Sequence, residues 1–525
     1  MGIYLNPGNV NYSDTLKSKI YVDKTMMLDV LNDFIEQGNK YICVSRPRRF
    51  GKTIAQNMIA AYYSKGCDSH DLFKDLKITQ VPGYEKNMNR YNVIQIDLNG
   101  QYESAERKEK FLRYLLEDIK EEMIEEFKDI HFNERDTLAG MMLKVFKKRH
   151  ETFVILIDEY DVLVREQVPD SLFKEYLALL NGLFKNNTLR PAISLAYITG
   201  ILPVIRDKVQ SKLNNFQEYT ILDGMELAEY IGFTTPEVQA ICDEYGVDFA
   251  ECRRWYDGYS QHGFEIYNPE SVVMCVKTGR FGNYWGRTST YNVVSDRISA
   301  NFDGMKDDVI RMMAGEKIPV DVEHYENTMD HFKSKDDAFT YLIHTGYLAY
   351  DLEDGTCRIP NNEIRKEWKR ALEDDSDYSV TNRIIRDSQK LLQETWNGNC
   401  EAVAKALDES HINVASNRSY NNEDVLQSAV YLAYIYALND YTRIKEMTAG
   451  KGFADLTYIP VKNGKHPAMI IELKKNHSTE TALDQIKEKR YFDSLSHYQG
   501  DLLFVGINYD GETKTHECRI EKVMK

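Results

Sequence analysis

Two short stretches hold residues whose types and spacing suit work on phosphate groups. The first is SRPRRFGKT, Ser45 to Thr53, lying between an apolar run, YICVS, and a helical pattern, TIAQNMIAAYY. A loop whose backbone N–H groups point inward, backed by a helix N-terminus, cradles phosphates. In the spacing G-x-x-x-x-G-K-[ST] the first glycine position falls at Arg46, so the loop reads Arg46, Pro47, Arg48, Arg49, Phe50, Gly51, Lys52, Thr53. Lys52 suits the β- and γ-phosphates and Thr53 a Mg2+ ion. Arg48 and Arg49 are either further phosphate contacts or a solvated loop face.

The loop needs an acidic partner, and FVILIDEYD, Phe153 to Asp161, supplies one: a continuous apolar strand ending in Asp158 and Glu159. At that point an Asp holds Mg2+ directly or through water, and a following Glu orients the attacking water. One more strand, AISLAYITG, ends in Thr199, placed to sense the γ-phosphate. Arg206, just beyond ITGILPV, is either a sensor or a residue on a solvated helix face.

The second stretch is a pair of segments, GFADLTYIPV and AMIIELKK, containing Asp455, Glu472 and Lys474. As strands of one hairpin they bring both carboxylates to one end, where hard oxygen ligands beside a phosphodiester suit Mg2+ or Mn2+. Lys474 lies two residues beyond Glu472 and so on the same strand face. The next helix carries Gln485 and Lys489 on one face, with Tyr491 close by. Glu423, at the start of the preceding helix, is a candidate third carboxylate. Alone, E-x-K is common on solvated strands; the Asp, the hairpin, the Gln-bearing helix and the last strand, DLLFVGINY, turn the pattern toward metal-dependent phosphodiester cleavage.

Three regions must position these residues. Up to residue 223, short apolar runs alternate with helices, including a long one from Glu103 to Ile130, which predicts a mainly parallel α/β sheet. Residues 224–400 read as helical and rich in aromatics, a lid with a winged-helix-like module, with one β element in GYLAYDLEDGTCRIPNNEI. From residue 401 the order is helix (Asp424 to Asn439), strand, an Asn463-Gly464 turn, strand, helix, strand: a compact α+β unit.

Composition excludes several classes. Hydrophobic residues make up 42% and charged ones 28%, and no run reaches the roughly 18 apolar residues of a membrane span. The N-terminus lacks the basic and apolar regions of a secretory signal, and Asn6 stands where a myristoylation motif has Ser or Thr. The 8 cysteines are scattered without C-x-x-C pairs, as in a reducing cytoplasm. A net charge of −16 excludes coating of nucleic acid by bulk electrostatics but leaves a focused basic groove open. His344 and His466 have no ligands at metal spacing, and RRWYDGY is either aromatic core packing or a base-stacking surface.

YVDKT (Tyr21 to Thr25), SRPRRFGKT, LIDEYD, ITGILPV, LNNF, EYIGFTTPEV, WYDGY and IYNPESV occur in an order that resembles the bacterial AAA-ATPase-like family, over residues 1 to about 290. Arg at the first-glycine position is that family's rule. The resemblance implies an ATPase fold that binds ATP and Mg2+. Residues 415 to about 510, with Asp455, Glu472-x-Lys474 and Gln485, resemble the PD-(D/E)XK nuclease superfamily, with Ala454 in place of its usual Pro. The two are frequently fused. The expectation is a P-loop NTPase sheet, a helical middle and a C-terminal restriction-endonuclease-like domain, in which ATP regulates cutting of nucleic acid, DNA ahead of RNA. The alternative is a nucleotide switch whose nuclease-like part only binds nucleic acid or a protein. A homo-oligomer is a further candidate; no membrane partner is expected.

Overall fold

Five parallel strands carry the phosphate loop. The computed structural model describes residues 2–523 apart from 205, 208–209, 212, 288–293, 295–301, 303, 314, 324, 326–331, 375–378, 415–428, 432, 440, 450–451, 461–465, 490–494, 496–497 and 499. The chain divides into two compact units, Met1–Ser289 with Pro319–Ile364, and Thr290–Ile318 with Arg365–Lys525. Among the described residues no helix is long and apolar enough to cross a membrane.

In the first unit the strands are β1 (Tyr41–Ser45), β2 (Asn92–Asp97), β3 (Phe153–Asp158), β4 (Ile193–Gly200) and β5 (Gln217–Tyr219), ordered β2-β3-β4-β1-β5. Helices α1 (Lys52–Tyr63), α2 (Phe111–Glu126), α3 (Leu138–Arg149) and α4 (Asp170–Phe184) connect or cover them. Alternate residues Ile94, Ile96, Ile155, Ile157 and Ile198 share one core with α2, α3 and α4. Their neighbours Val93, Val154, Leu156 and Tyr197 are equally buried, so both sheet faces are covered and the strands read as unbroken apolar runs. The expected helix from Glu103 to Ile130 is instead a short helix, Leu98–Ser104, a 3-10 turn at Lys108–Lys110, and α2.

Register places the chemistry. Val44 pairs with Thr199, Ser45 with Gly200, Ile157 with Ile198, and Asp97 with Asp158. The C-terminal ends of β1, β4 and β3 therefore stand side by side, where open α/β sheets bind ligands.

Beyond the sheet, α5 (Thr235–Tyr245) starts in a capping box, Thr234 with Glu237, and stops at left-handed Gly246. A hairpin of β6 (Tyr259–Gln261) and β7 (Phe264–Tyr267) leads into α6 (Pro269–Thr278), and β8 (Ala349–Asp351) pairs with β9 (Thr356–Arg358) where the sequence predicts a β element.

The second unit has helices α7 (Ser379–Trp396) and α8 (Cys400–Val414) and a sheet of β10 (Tyr441–Ala449), β11 (Gly452–Pro460), β12 (Ala468–Lys475), β13 (Leu502–Asp510) and β14 (Thr515–Val523), in that order. All neighbours are antiparallel except β12 and β13, which are joined through α9 (Thr479–Glu488). A Cβ on Gly506 would stand 2.7 Å from the Thr479 carbonyl, so glycine lets α9 lie close on β13, directly opposite Glu472. The Asn463-Gly464 turn, Glu423 itself, and residues 424–428 and 432 of the expected Asp424 to Asn439 helix lie outside the described residues; the end of that segment, Ile435–Asn439, is a 3-10 helix.

Candidate functional site

Gly51 caps α1 in the left-handed conformation (φ 92°), and Arg49 is left-handed as well (φ 68°), so the loop turns sharply into the helix. α6 holds its outer edge. Asn268, the N-cap of α6, accepts from Ser271 N–H and donates to the Arg48 carbonyl at 3.3 Å, and Glu270 pairs with Arg49 at 2.9 Å.

Inside the loop, Lys52 Nζ donates to the carbonyls of Arg46 and Pro47, both at 3.0 Å. Burial pulls its pKa below the ordinary value, opposed by the carboxylates of Glu159, Asp158 and Asp161. Thr53 Oγ1 donates to Asp158 Oδ2 at 2.6 Å. The other oxygen, Oδ1, accepts from the Thr199 hydroxyl and, at 3.0 Å, from Glu159 N–H. Gln56 Nε2 reaches Thr199 Oγ1 at 3.3 Å.

Glu159 is left-handed (φ 53°), which turns its side chain onto Arg165. Arg165 also pairs with Asp161 at 3.2 Å, and Asp161 accepts the N–H groups of Ile201 and Leu202, just after β4. Burial pushes the Glu159 carboxyl up against the pull of Lys52 and Arg165. Burial also lowers Arg165, but Asp161 and Glu159 outweigh it and leave the guanidinium raised.

A cavity of about 740 Å³ opens beside the loop, lined at its charged end by Arg48, Gly51, Lys52, Thr53, Glu159 and Arg165. Arg46 is not among its walls. Its guanidinium is fully buried, donates to the Ser45 and Tyr219 carbonyls at 2.9 Å, and would lie 2.5 Å from a Cβ on Gly224; burial pulls its pKa down to about 10. Phe50 packs edge-on against Tyr259 and Trp285, and Pro47 lies over Gly346. The side chains of Arg46 and Phe50 thus pack against the protein, and Arg46 and Pro47 present carbonyls to Lys52. Lys52, Thr53, Asp158, Glu159 and Thr199 come together, with Arg48 and Arg49 at the rim. The side chain of Arg206 lies outside the described residues.

The donor set fits a nucleoside triphosphate with Mg2+. A left-handed glycine opens a helix N-terminus, a lysine is held by two carbonyls, and a hydroxyl–carboxylate pair offers hard oxygens.

In the second unit, β11 and β12 pair Leu456 with Ile471, and one step further sets Asp455 beside Glu472; Leu473 N–H donates to Asp455 Oδ2 at 2.8 Å. Lys474 Nζ lies 2.9 Å from Glu472 Oε1. Glu472 is 1% exposed and its Oε2 has no hydrogen-bond partner among the described residues. Burial, then the Asp455 carboxylate, pushes the Glu472 pKa up to about 7, with Lys474 pulling the other way. An unsatisfied buried carboxylate oxygen beside a second carboxylate fits a divalent cation. Gln485 is on α9, which packs on β12 and β13. No group of three or more His, Cys, Asp and Glu is arranged to hold a metal among the described residues.

The family model described as "Predicted AAA-ATPase" matches residues 11–210, and that of the PD-(D/E)XK nuclease superfamily matches residues 421–518. The chain carries an AAA-ATPase-like domain followed by a PD-(D/E)XK nuclease domain. An uncharacterised protein in the vnfD 5' region of Azotobacter chroococcum mcd 1 is 26% identical over 291 residues, 53% of this chain and 52% of that protein, so the match spans about half of the relative's length. The Walker-type ATPase PABY2304 of Pyrococcus abyssi is 15% identical, with a TM-score of 0.35 over 66% of this chain and 96% of that one. The ORC2 protein of Aeropyrum pernix, in ADPNP and ADP complexes, is 8% identical, with a TM-score of 0.29 over 68% of this chain and 96% of that one.

Two parts of the AAA-ATPase-like site have no role assigned in the sequence reading: Arg165 with Asp161, and Asn268 with Glu270. Asp161 and Asn268 fall within LIDEYD and IYNPESV, but Arg165 lies in an ordinary polar stretch, VREQ. RRWYDGY supplies packing: Tyr256 and Tyr259 are buried, and Arg253 pairs with Asp257 and Glu265. His344 is buried against Tyr325, and His466 stacks on Trp396.

Proposed function

We propose that the AAA-ATPase-like domain binds and hydrolyses ATP with Mg2+, that the nuclease domain cuts nucleic acid, DNA ahead of RNA, and that the nucleotide state controls the cutting in the cytoplasm. One observation supports both halves: each unit sets a lysine beside a strand carboxylate, Lys52 by Asp158 at the end of β3 and Lys474 by Glu472 within β12, the pairing a phosphate group needs on one site. When bound, the divalent cation neutralises charge on phosphate oxygens. Thr53 and Asp158 hold it in the first domain, and Asp455 and Glu472 in the second.

The residues of the chain do the rest. Lys52 exchanges two carbonyl partners for the β- and γ-phosphates, a charge-assisted contact stronger than the ones it gives up. Glu159, ion-paired with Arg165, is aimed at the cavity to take the proton of an attacking water. Thr199 reads the γ-phosphate through its bond to Asp158. Lys474 stabilises negative charge developing at the phosphodiester, and Gln485 positions the strand.

The test is cleavage of labelled single- and double-stranded DNA and RNA with Mg2+ or Mn2+, with and without ATP, by wild type, Lys52→Ala and Glu472→Ala. Cutting lost in Glu472→Ala and altered in Lys52→Ala is expected. No cutting under any condition, with ATP hydrolysis lost in Lys52→Ala, would replace the nuclease by a nucleotide-switched binding module.

A further inference from the structure

One residue of the phosphate loop is buried with part of its hydrogen-bonding capacity unused. The general spacing has glycine at the first position, and here Arg46 stands there with a guanidinium shut off from solvent. Nη1 donates to two carbonyls, but Nε and Nη2 have no hydrogen-bond partner among the described residues. A buried charge with two unused donors destabilises a fold. The side chain is therefore better explained by what it holds in place than by the stability it adds.

Arg46 bridges two strands where the loop begins. Its N–H donates to the Gly200 carbonyl at 3.1 Å, on the β4 side. On the other side, where the pairing of β1 with β5 stops at Val44 and Tyr219, the guanidinium takes the Tyr219 carbonyl at 2.9 Å in place of a further ladder bond. The turn that follows β5 packs on the guanidinium: Thr220 N–H donates to the Asp223 carbonyl at 2.8 Å, and a Cβ on Gly224 would stand 2.5 Å from Nη2 and 2.6 Å from Gln261 Oε1. Gln261, from β6, donates in turn to the Ile221 carbonyl at 3.2 Å. Tyr219, Gly224 and Gln261 do not line the cavity, whereas the carbonyls of Arg46 and Pro47 meet Lys52 Nζ at its edge.

We propose, resting on the nucleotide reading above, that Arg46 is a positioning residue: tied to β5 and to the Thr220–Gly224 turn, it fixes the start of the loop so that the Arg46 and Pro47 carbonyls hold Lys52 at the helix N-terminus before a nucleotide arrives. A loop that keeps its binding shape only about a tenth of the time binds about 10-fold more weakly, so loss of this tie shows in affinity. Turnover at saturating ATP belongs to the filled loop and to Asp158 and Glu159 at the end of β3, and changes little.

The experiment measures the ATP dissociation constant, the number of binding sites and the turnover at saturating ATP, with Mg2+, for the full chain as wild type, Arg46→Met, Arg46→Lys and Gly224→Ala. In Arg46→Met the dissociation constant should rise about 10-fold or more, with turnover within about 3-fold of wild type. Arg46→Lys keeps a charged donor and should recover part of the affinity. Gly224 has ordinary right-handed dihedrals (φ −91°) that suit alanine, but the new Cβ displaces the guanidinium, so Gly224→Ala should weaken ATP binding from outside the cavity. A merely structural arginine would lower the number of folded sites and leave the dissociation constant of the remainder unchanged. Affinities within about 2-fold of wild type in Arg46→Met and Gly224→Ala would overturn the proposal while the nucleotide reading stood. Absence of ATP binding by wild type would remove the nucleotide reading, and this proposal with it.

Discussion

The two acidic sites differ in how their charges are compensated. In the AAA-ATPase-like domain the charges at the loop are paired: Lys52 has two carbonyls, Asp158 has Thr53, Thr199 and a backbone N–H, and Glu159 has Arg165, which pairs in turn with Asp161, although Asp161 Oδ1 is itself buried without a hydrogen-bond partner among the described residues. In the nuclease domain Glu472 has one oxygen on Lys474 and one with no hydrogen-bond partner among the described residues. The first arrangement is a closed network on three adjacent parallel strand ends. The second is a strand pair whose buried charge is only half offset. A closed network changes state by exchanging partners, while a half-offset carboxylate is sensitive to any added cation or proton.

The largest expected effect tests the closed network. Lys52→Ala removes the one ammonium inside the loop and leaves the Arg46 and Pro47 carbonyls without it. ATP turnover, measured as phosphate release, should fall by roughly 10³-fold. Wild-type turnover in this variant would break the comparison, because the network would then not be the phosphate site.

The next tests the half-offset carboxylate. The Glu472 pKa is raised from 4.5 to about 7 in the folded chain, so folding favours its protonated form. The stability from this group is complete below pH 4.5 and is lost as pH rises to about 7, by on the order of 3 kcal/mol. Glu472→Gln does not titrate. In metal-free buffer, hydrogen exchange of Ala468–Lys475 should show wild type losing protection relative to Glu472→Gln across that window, and added Mg2+ should restore it above pH 7. Parallel pH curves for the two proteins would mean that Lys474 already compensates the charge.

A smaller effect is expected at Arg165. Arg165→Gln frees Glu159 and leaves Asp161 facing only backbone amides. Turnover should drop about 10- to 100-fold with little change in ATP affinity, and Arg165→Lys should recover part of it. A change in affinity with unchanged turnover would place Arg165 on the nucleotide and off the glutamate.

What was legible in the sequence follows the same division. YICVS, FVILID and ISLAYITG are plain because their strands are buried on both faces, and the loop and acidic ends that follow them are local motifs. β5 is three residues of Gln, Glu and Tyr, too short and polar to stand out. β10 and β14 are the edges of the second sheet and mix charged with apolar residues, so YTRIKEMTA and THECRIEKV do not stand out as strands in the sequence, whereas Asp455 and Glu472 between them do. The break before α2 is hidden by charge on both sides of it. The pairing of Arg165 with Glu159 depends on a left-handed turn at a non-glycine residue, and the burial of Arg46 on a carbonyl supplied by β5, far along the chain; neither leaves a mark in the local pattern.

The smallest expected effect is the sharpest test of the comparison, because it is a predicted absence. Asp455→Ala removes the carboxylate that holds Leu473 N–H and raises the Glu472 pKa; under the proposed function, cation binding and cutting are expected to be lost with it. The partners described for Lys52, Asp158 and Arg165, namely Arg46, Pro47, Thr53, Thr199, Glu159 and Asp161, belong to the first unit. ATP turnover should therefore stay within about 2-fold of wild type in the absence of nucleic acid, as for independent sites without shared partners. Weaker ATP binding by Asp455→Ala than by cation-loaded wild type would instead require a coupling free energy between the sites, and because coupling of two binding events is reciprocal, ATP would then have to change cation affinity at Glu472 by the same factor.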